Sequence, residues 1–231
     1  MPEKHVNGCL VCGEELVYDA VPQERECLIC HRRFVSNAAC PHGHYVCDAC
    51  HEAGGVSMVQ SVCLNAPDRD PLAVLLRLMA LPDVHLHGPE HHVLVGSALL
   101  TASLSGSLLQ GVEMARRGQQ VPGGACGFWG CCGAAVSAGM YVSIVTGSTP
   151  LKGREWGLSN LMTARALQAI GTLGGPRCCK RDSFTAVKEA VAFTAENLDI
   201  RMELPERIVC TYSPLNAQCL GAACPYNKNH R

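Results

Sequence analysis

Four ligand pairs fall within residues 9–50: Cys9 and Cys12, Cys27 and Cys30, Cys40 and His44, Cys47 and Cys50. Each Cys-x2-Cys is a tight turn that aims two thiolates at one ion, and zinc completes a tetrahedron with four such ligands. Seven cysteines and one histidine therefore make two complete sites. Spacing this dense rarely arises from packing alone. His42 and His51 compete with His44 as the nitrogen ligand. A unit this small and poor in core is expected to be unfolded without its metal.

The stretch from Cys27 to Cys50 resembles the first three ligand pairs of a RING-type cross-brace, in architecture and not in ubiquitin chemistry. That resemblance implies that Cys27, Cys30, Cys47 and Cys50 share one ion, and that Cys9, Cys12, Cys40 and His44 share the other. The last Cys-x2-Cys of RING domains is missing, and Cys9/Cys12 takes its place from the N-terminal side.

A second constellation is Pro82-Asp83-Val84-His85-Leu86-His87-Gly88-Pro89-Glu90-His91-His92, with four histidines just before a long apolar segment. Glu90, His91 and His92 are placed at the first turn of a helix, where free N–H groups attract an anion such as a substrate carboxylate. Histidine is also suited to proton transfer near neutral pH. These three are the candidate catalytic residues.

A third set of cysteines lies in glycine-rich loops before helices: Cys126, Cys131 and Cys132 in one, Cys178 and Cys179 in another, with Cys210, Cys219 and Cys224 in the tail. Thiols at helix N-termini ionise readily, and an iron–sulfur cluster takes about four of them. The candidate ligands are Cys126, Cys132, Cys178, Cys179, Cys219 and Cys224.

The segment Gly124–Val191 resembles the α-chain of iron–sulfur L-serine dehydratases. Ala125-Cys126 enters a Gly/Ala-rich helix. Thr146-Gly147-Ser148-Thr149-Pro150 matches the family's Gly-Gly-Ser-Pro-like turn. Cys179-Lys180-Arg181-Asp182-Ser183-Phe184-Thr185-Ala186-Val187-Lys188 matches its second cysteine loop and helix. Gly88-Pro89-Glu90-His91-His92 is similar to the substrate loop of the related cysteine desulfidases. The resemblance implies that Cys126 and Cys179 bind a cluster of the 4Fe–4S type. The family's third cysteine has no counterpart at Ala166–Ile170, so Cys131, Cys132 or Cys178 substitutes for it, and Cys219 or Cys224 can add a C-terminal ligand. The whole layout, zinc knuckles included, resembles an uncharacterised cysteine-rich family of anaerobic bacteria and archaea.

These readings converge on an iron–sulfur lyase that acts on a small carboxylate or amino acid. An open iron would polarise the leaving group, and His91, His92 or Glu90 would handle the proton. The alternative is a non-enzymatic metal- or sulfur-handling or redox-sensing module that docks on a protein partner through the zinc unit. A cluster with three protein ligands favours the first reading, and a fully cysteine-ligated one favours the second.

The elements that must position these residues follow from composition and periodicity. Apolar residues make up 48% of the 231 and aromatics only 5%, so the interior must be aliphatic and small, which suits closely approaching helices. The fold class expected is mainly α: a small zinc-ribbon or cross-brace module at 1–65, then an all-α helical domain at 66–231, joined across Asn65–Pro71. Helices are expected over Pro71–Leu81, His92–Arg117, Cys132–Val145, Glu155–Leu173 and Asp182–Asn197. Asp182 is the expected cap of the last, and a glycine stop at Gly118 closes the second. Strand signals are confined to the module and Arg207–Tyr212. Val93–Val112 carries no charge but is rich in Ser, Thr and Gly, and reads as a core helix rather than a membrane span. The net charge of −1 argues against a nucleic-acid partner. Sixteen cysteines without an apolar leader point to thiolates in a reducing cytoplasm.

Overall fold

The computed structural model describes residues 8–51, 59, 62–63, 68–103 and 107–230. The N-terminal module is a two-stranded antiparallel hairpin, β1 (Val17–Glu26) and β2 (Arg33–Ala39). Val17 pairs with Ala39 at one end and Glu26 with Arg33 at the other, and the register shifts between Tyr18 and Gln23. Among the described residues these are the only strands, so Arg207–Tyr212 is not one. A helix opens at residue 48, directly after the last cysteine pair begins.

The rest is helical: α1 (Pro71–Met79), α2 (His91–Ala102), α3 (Leu108–Gly118), the single turn α4 (Ala125–Phe128), α5 (Gly133–Thr146), α6 (Gly153–Leu173) and α7 (Cys179–Leu198). α1 starts as its sequence dictates, with Pro71 in the first turn and the Asp70 carboxylate accepting from the N–H groups of Leu72 and Ala73. α2 and α5 are apolar all round and form the centre. α5 packs on α2, α3, α6 and α7, and α2 packs on α1, α3, α5 and α7. Small residues permit these approaches. A side chain at Gly96 would fall on Met114, and one at Gly139 on Thr163.

Two boundaries differ from the sequence expectation. The segment expected as one helix over His92–Arg117 is two. α2 ends with Ser103 as its cap, and α3 restarts from a capping box in which Ser107 Oγ accepts from Gln110 N while Gln110 accepts from Ser107 N. Ser103 Oγ donates to Leu100 O and Ser107 Oγ accepts from Gln110 N, side-chain bonds that compete with helical ones. Gly118 ends α3 but is required for another reason: a Cβ there would meet Val93 and the His92 carbonyl. The cap of α7 is Cys178, not Asp182. Its Sγ accepts from Arg181 N, and Asp182 sits in the first turn, buried and paired with Arg181 at 3.1 Å.

After α7 the chain runs back along the bundle through two short 3-10 turns, Ser213–Leu215 and Gly221–Ala223. Tyr226 anchors this tail, its hydroxyl 2.9 Å from Thr185 Oγ1 and its carbonyl accepting from Cys210 N. Among the described residues no helix is long and apolar enough to cross a membrane. The boundary placed at 65/66 lies outside the described residues.

Candidate functional site

The metal module is built from repeated backbone turns. In the first knuckle Gly13 N donates to Cys9 O and Cys9 N to Glu14 O; in the second His31 N donates to Cys27 O and Cys27 N to Arg32 O. The residue after each second cysteine, Gly13 or His31, takes a left-handed conformation, which closes the turn. Amide N–H groups then point at sulfur: Val11 to Cys9, His42 to Cys40 and Cys47 to Cys27, each at 3.4 Å.

The ligands gather as the cross-brace resemblance implies. Cys9, Cys12, Cys40 and His44 form one group and Cys27, Cys30, Cys47 and Cys50 the other, each with its donor atoms within 4.8 Å of one another. Cys12 and Cys40 sulfurs are 3.6 Å apart and Cys30 and Cys47 3.8 Å. A tetrahedral ion with bonds of about 2.3 Å to sulfur has edges of about 3.8 Å, so both groups fit zinc-binding knuckles. His44 wins the competition for the first site, its Nδ1 3.8 Å from Cys9 and 3.7 Å from Cys40. His42 stays on the rim beside Cys12, and His51 belongs elsewhere.

Thiol electrostatics agree. Burial opposes ionisation of Cys27, but N–H groups from Cys30, Cys47 and Ile29 outweigh it and bring the thiol down to about 6. Cys50, hydrogen-bonded to Cys47 and partly desolvated, is pushed up to about 12. Crowded thiols titrate apart in this way, and a dication lets all of them ionise together.

The histidine loop departs from expectation. Glu90 is 0% and His91 1% exposed, so neither faces solvent. Glu90 turns its carboxylate to His51 and His85. His91 lies between Gly88 O and the Lys180 ammonium, 3.1 Å from its Nε2. Burial and that ammonium hold His91 well below its ordinary pKa, in the neutral form. The first turn of α2 has no free N–H groups to offer an anion, because His91, His92 and Val93 donate to Gly88, Pro89 and Glu90 carbonyls. These N–H groups are therefore not available to hold a substrate carboxylate, contrary to the expectation.

His92 alone of the three lines a cleft, and it shares that cleft with Cys126, Cys179 and Arg177. The cleft lies between the zinc module and the bundle and has a volume of about 310 Å³. The module contributes Tyr18, with the Arg177 guanidinium 5.1 Å over its ring, and Asp48, which accepts from Gly123 N at 2.7 Å. His92 Nδ1 is committed to the Val121 carbonyl at 2.9 Å. Behind the cleft, Cys132 caps α5, with its sulfur 3.9 Å from Asp182. Burial first, then Asp182, raises the Cys132 thiol, and burial pushes Cys179 up to about 12.

The six cysteines expected to bind a cluster do not face one cavity. Cys126 and Cys179 face the cleft. Cys178, Cys219 and Cys224 line a second, small cavity of about 20 Å³ under the tail, room for about one water, together with Cys210, which was not among the expected ligands. Neighbouring residues Cys178 and Cys179 thus point to opposite sides of one helix start. Cys178 Sγ accepts from Arg181 N and Asn216 Nδ2, and Cys219 Sγ from Gly221 N. No three of these four sulfurs lie within 4.8 Å of one another, which is too wide for one zinc ion. His87, also missed as a site residue, bridges the two cavities. It lines the cleft, accepts from Cys179 N at 3.5 Å and contacts Asn216 Oδ1 at 3.2 Å. Burial and the nearby Arg177 bring its pKa down to about 4.

No curated protein and no solved structure matches the chain. Residues 59–227, which span the helical unit and its cysteine-bearing tail, match a family of unknown function (DUF5714), and the chain belongs to that family.

Proposed function

We propose that the protein is an iron–sulfur enzyme of lyase type that acts on a small carboxylate or amino acid in the cleft between zinc module and helical bundle. The observation that carries this reading is that Cys126 and Cys179, more than fifty residues apart in sequence, share one cleft with Arg177 and His92. The resemblance of Gly124–Val191 to the L-serine dehydratase α-chain supports the same pair as ligands, with Cys131, Cys132 or Cys178 as the third thiol. A cluster with one open iron supplies Lewis acidity at the leaving group. Arg177, oriented by Tyr18, binds the carboxylate. His92, its Nδ1 occupied by Val121 O, offers Nε2 for the proton. The module carries two zinc ions in this reading and walls one side of the cleft. Its exposed apolar side chains Val21, Ile29 and Val35 support docking to a protein partner.

The four cysteines that line the small cavity under the tail favour a second reading, a fully ligated cluster that moves electrons or handles sulfur. Iron, sulfide and zinc are to be determined on anaerobically purified full-length protein and on Cys179→Ser and Cys219→Ser. Under the lyase reading Cys179→Ser loses its iron while Cys219→Ser retains it. The reverse pattern favours the redox reading and rules out the cleft cluster.

A further inference from the structure

His51, His85 and Glu90 form a third group that neither the zinc sites nor the cleft chemistry uses. One donor atom from each lies within 4.8 Å of the others. His51 Nδ1 stands 3.3 Å from Glu90 Oε2, and His85 Nδ1 stands 3.3 Å from Glu90 Oε1. Neither nitrogen has the alignment a hydrogen bond needs, and Glu90 Oε2, His51 Nδ1 and His85 Nδ1 are all buried without a hydrogen-bond partner. Glu90 is wholly buried. A buried carboxylate with an unpartnered oxygen, facing two imidazole nitrogens that also lack partners, is the arrangement a cation completes.

We infer that His51, His85 and Glu90 are the protein ligands of a third metal site, which takes one divalent transition ion of the zinc or ferrous type. Two imidazoles and one carboxylate are the donor set of zinc and non-haem iron centres that keep open positions. Such centres also need an outer shell that fixes the ligands. Here Glu90 Oε1 accepts from His85 N at 2.7 Å, and Lys180 Nζ donates to His85 O at 3.2 Å. A side chain at Gly88 would fall on the Glu90 carboxylate, so the loop leaves room for that carboxylate alone. His51 follows Cys50, a ligand of the second zinc group, so the module delivers the third ligand to the bundle. His51 also lines the cleft, and open positions on the ion would face it.

The test uses the full-length protein, with Co²⁺ as the probe. Metal is counted before and after a chelator treatment mild enough to leave the two zinc ions in place, and Co²⁺ is then titrated in. One equivalent is expected to bind with weak d–d absorption and without the intense thiolate charge-transfer band of the cysteine sites. Glu90→Gln and His51→Ala should each weaken that equivalent by ~100-fold or more, beyond what loss of an outer-shell partner does, while the zinc count stays unchanged. His51→Ala truncates a partly exposed side chain, so it decides the question where Glu90→Gln fails to fold. Absence of the extra equivalent in the parent protein, a thiolate band on the bound Co²⁺, or parental affinity in His51→Ala overturns the proposal. In that case the carboxylate is bridged by two imidazoles alone.

Discussion

Glu90 has no exposed surface, and what lies next to it governs how the histidine loop behaves. Gly88 is the closest constraint, because any Cβ there would land on the carboxylate. Gly88→Ala is therefore expected to destabilise the protein by ~1–3 kcal/mol through overpacking, read as a lowered midpoint in denaturant unfolding. An unchanged midpoint would mean that the carboxylate has room to move. At this scale the eight ligands of the module were legible because tetrahedral coordination requires fixed local spacings. The orientation of Glu90 and His91 was not. It depends on His51, far upstream, and on Lys180, far downstream, and no local pattern records either contact. Cys178 and Cys179 show the same limit. Adjacency in sequence suggested one shared role, but one caps α7 and faces the tail cavity while the other faces the cleft.

Helix packing depends on which glycines are crowded. Gly139 on α5 lies against Thr163 and the Ser159 carbonyl of α6, whereas Gly157 on α6 has open space where a Cβ would go. Gly139→Val should cost ~1–3 kcal/mol, and Gly157→Ala should gain ~0.5–1 kcal/mol from helix propensity. Thermal unfolding of the two variants should move in opposite directions; a stabilised Gly139→Val would contradict the close α5–α6 approach. The end of α3 carries a pH-dependent contribution. Hydrogen bonds from Arg116 and then Arg117 lower the Glu113 carboxyl from its ordinary 4.5 to about 2, and Arg117 also reaches Ser143 on α5. A carboxyl lowered on folding stabilises the protein above its unfolded pKa, and that stability is lost as pH falls through the folded one. The stability difference between the parent and Glu113→Gln should thus be present at pH 6, shrink below about pH 4.5 and vanish near pH 2. Helix positions were legible from apolar periodicity and from Pro71, and the end of α6 from Gly174. The break between α2 and α3 was missed because the uncharged run reads as continuous, and only the side-chain bonds of Ser103 and Ser107 mark it.

The whole molecule joins two parts held by different physics. The apolar core runs from Val59 to Tyr226 and takes no residue from 8–51. The module instead buries Cys9, Cys27, Cys40 and Cys47, all of them members of the two groups that fit a zinc ion, with Ala39 as its buried apolar side chain. Removing zinc should therefore unfold the module, since the thiols repel one another once ionised and little apolar surface remains to hold the hairpin. The bundle should stay folded. Hydrogen exchange of the full-length protein in strong chelator should show loss of protection across β1 and β2, with protection kept in α2, α5 and α7. The same treatment removes Tyr18 and Asp48 from the cleft, and with them the partner of Arg177 and the acceptor of Gly123 N. Any carboxylate that binds beside Arg177 should then bind more weakly, although the bundle itself is intact. If chelation instead melts both parts in one transition, the Asp48–Gly123 bond and the Tyr18–Arg177 stack make module and bundle a single cooperative unit, and the division near residue 65 does not describe how the chain folds.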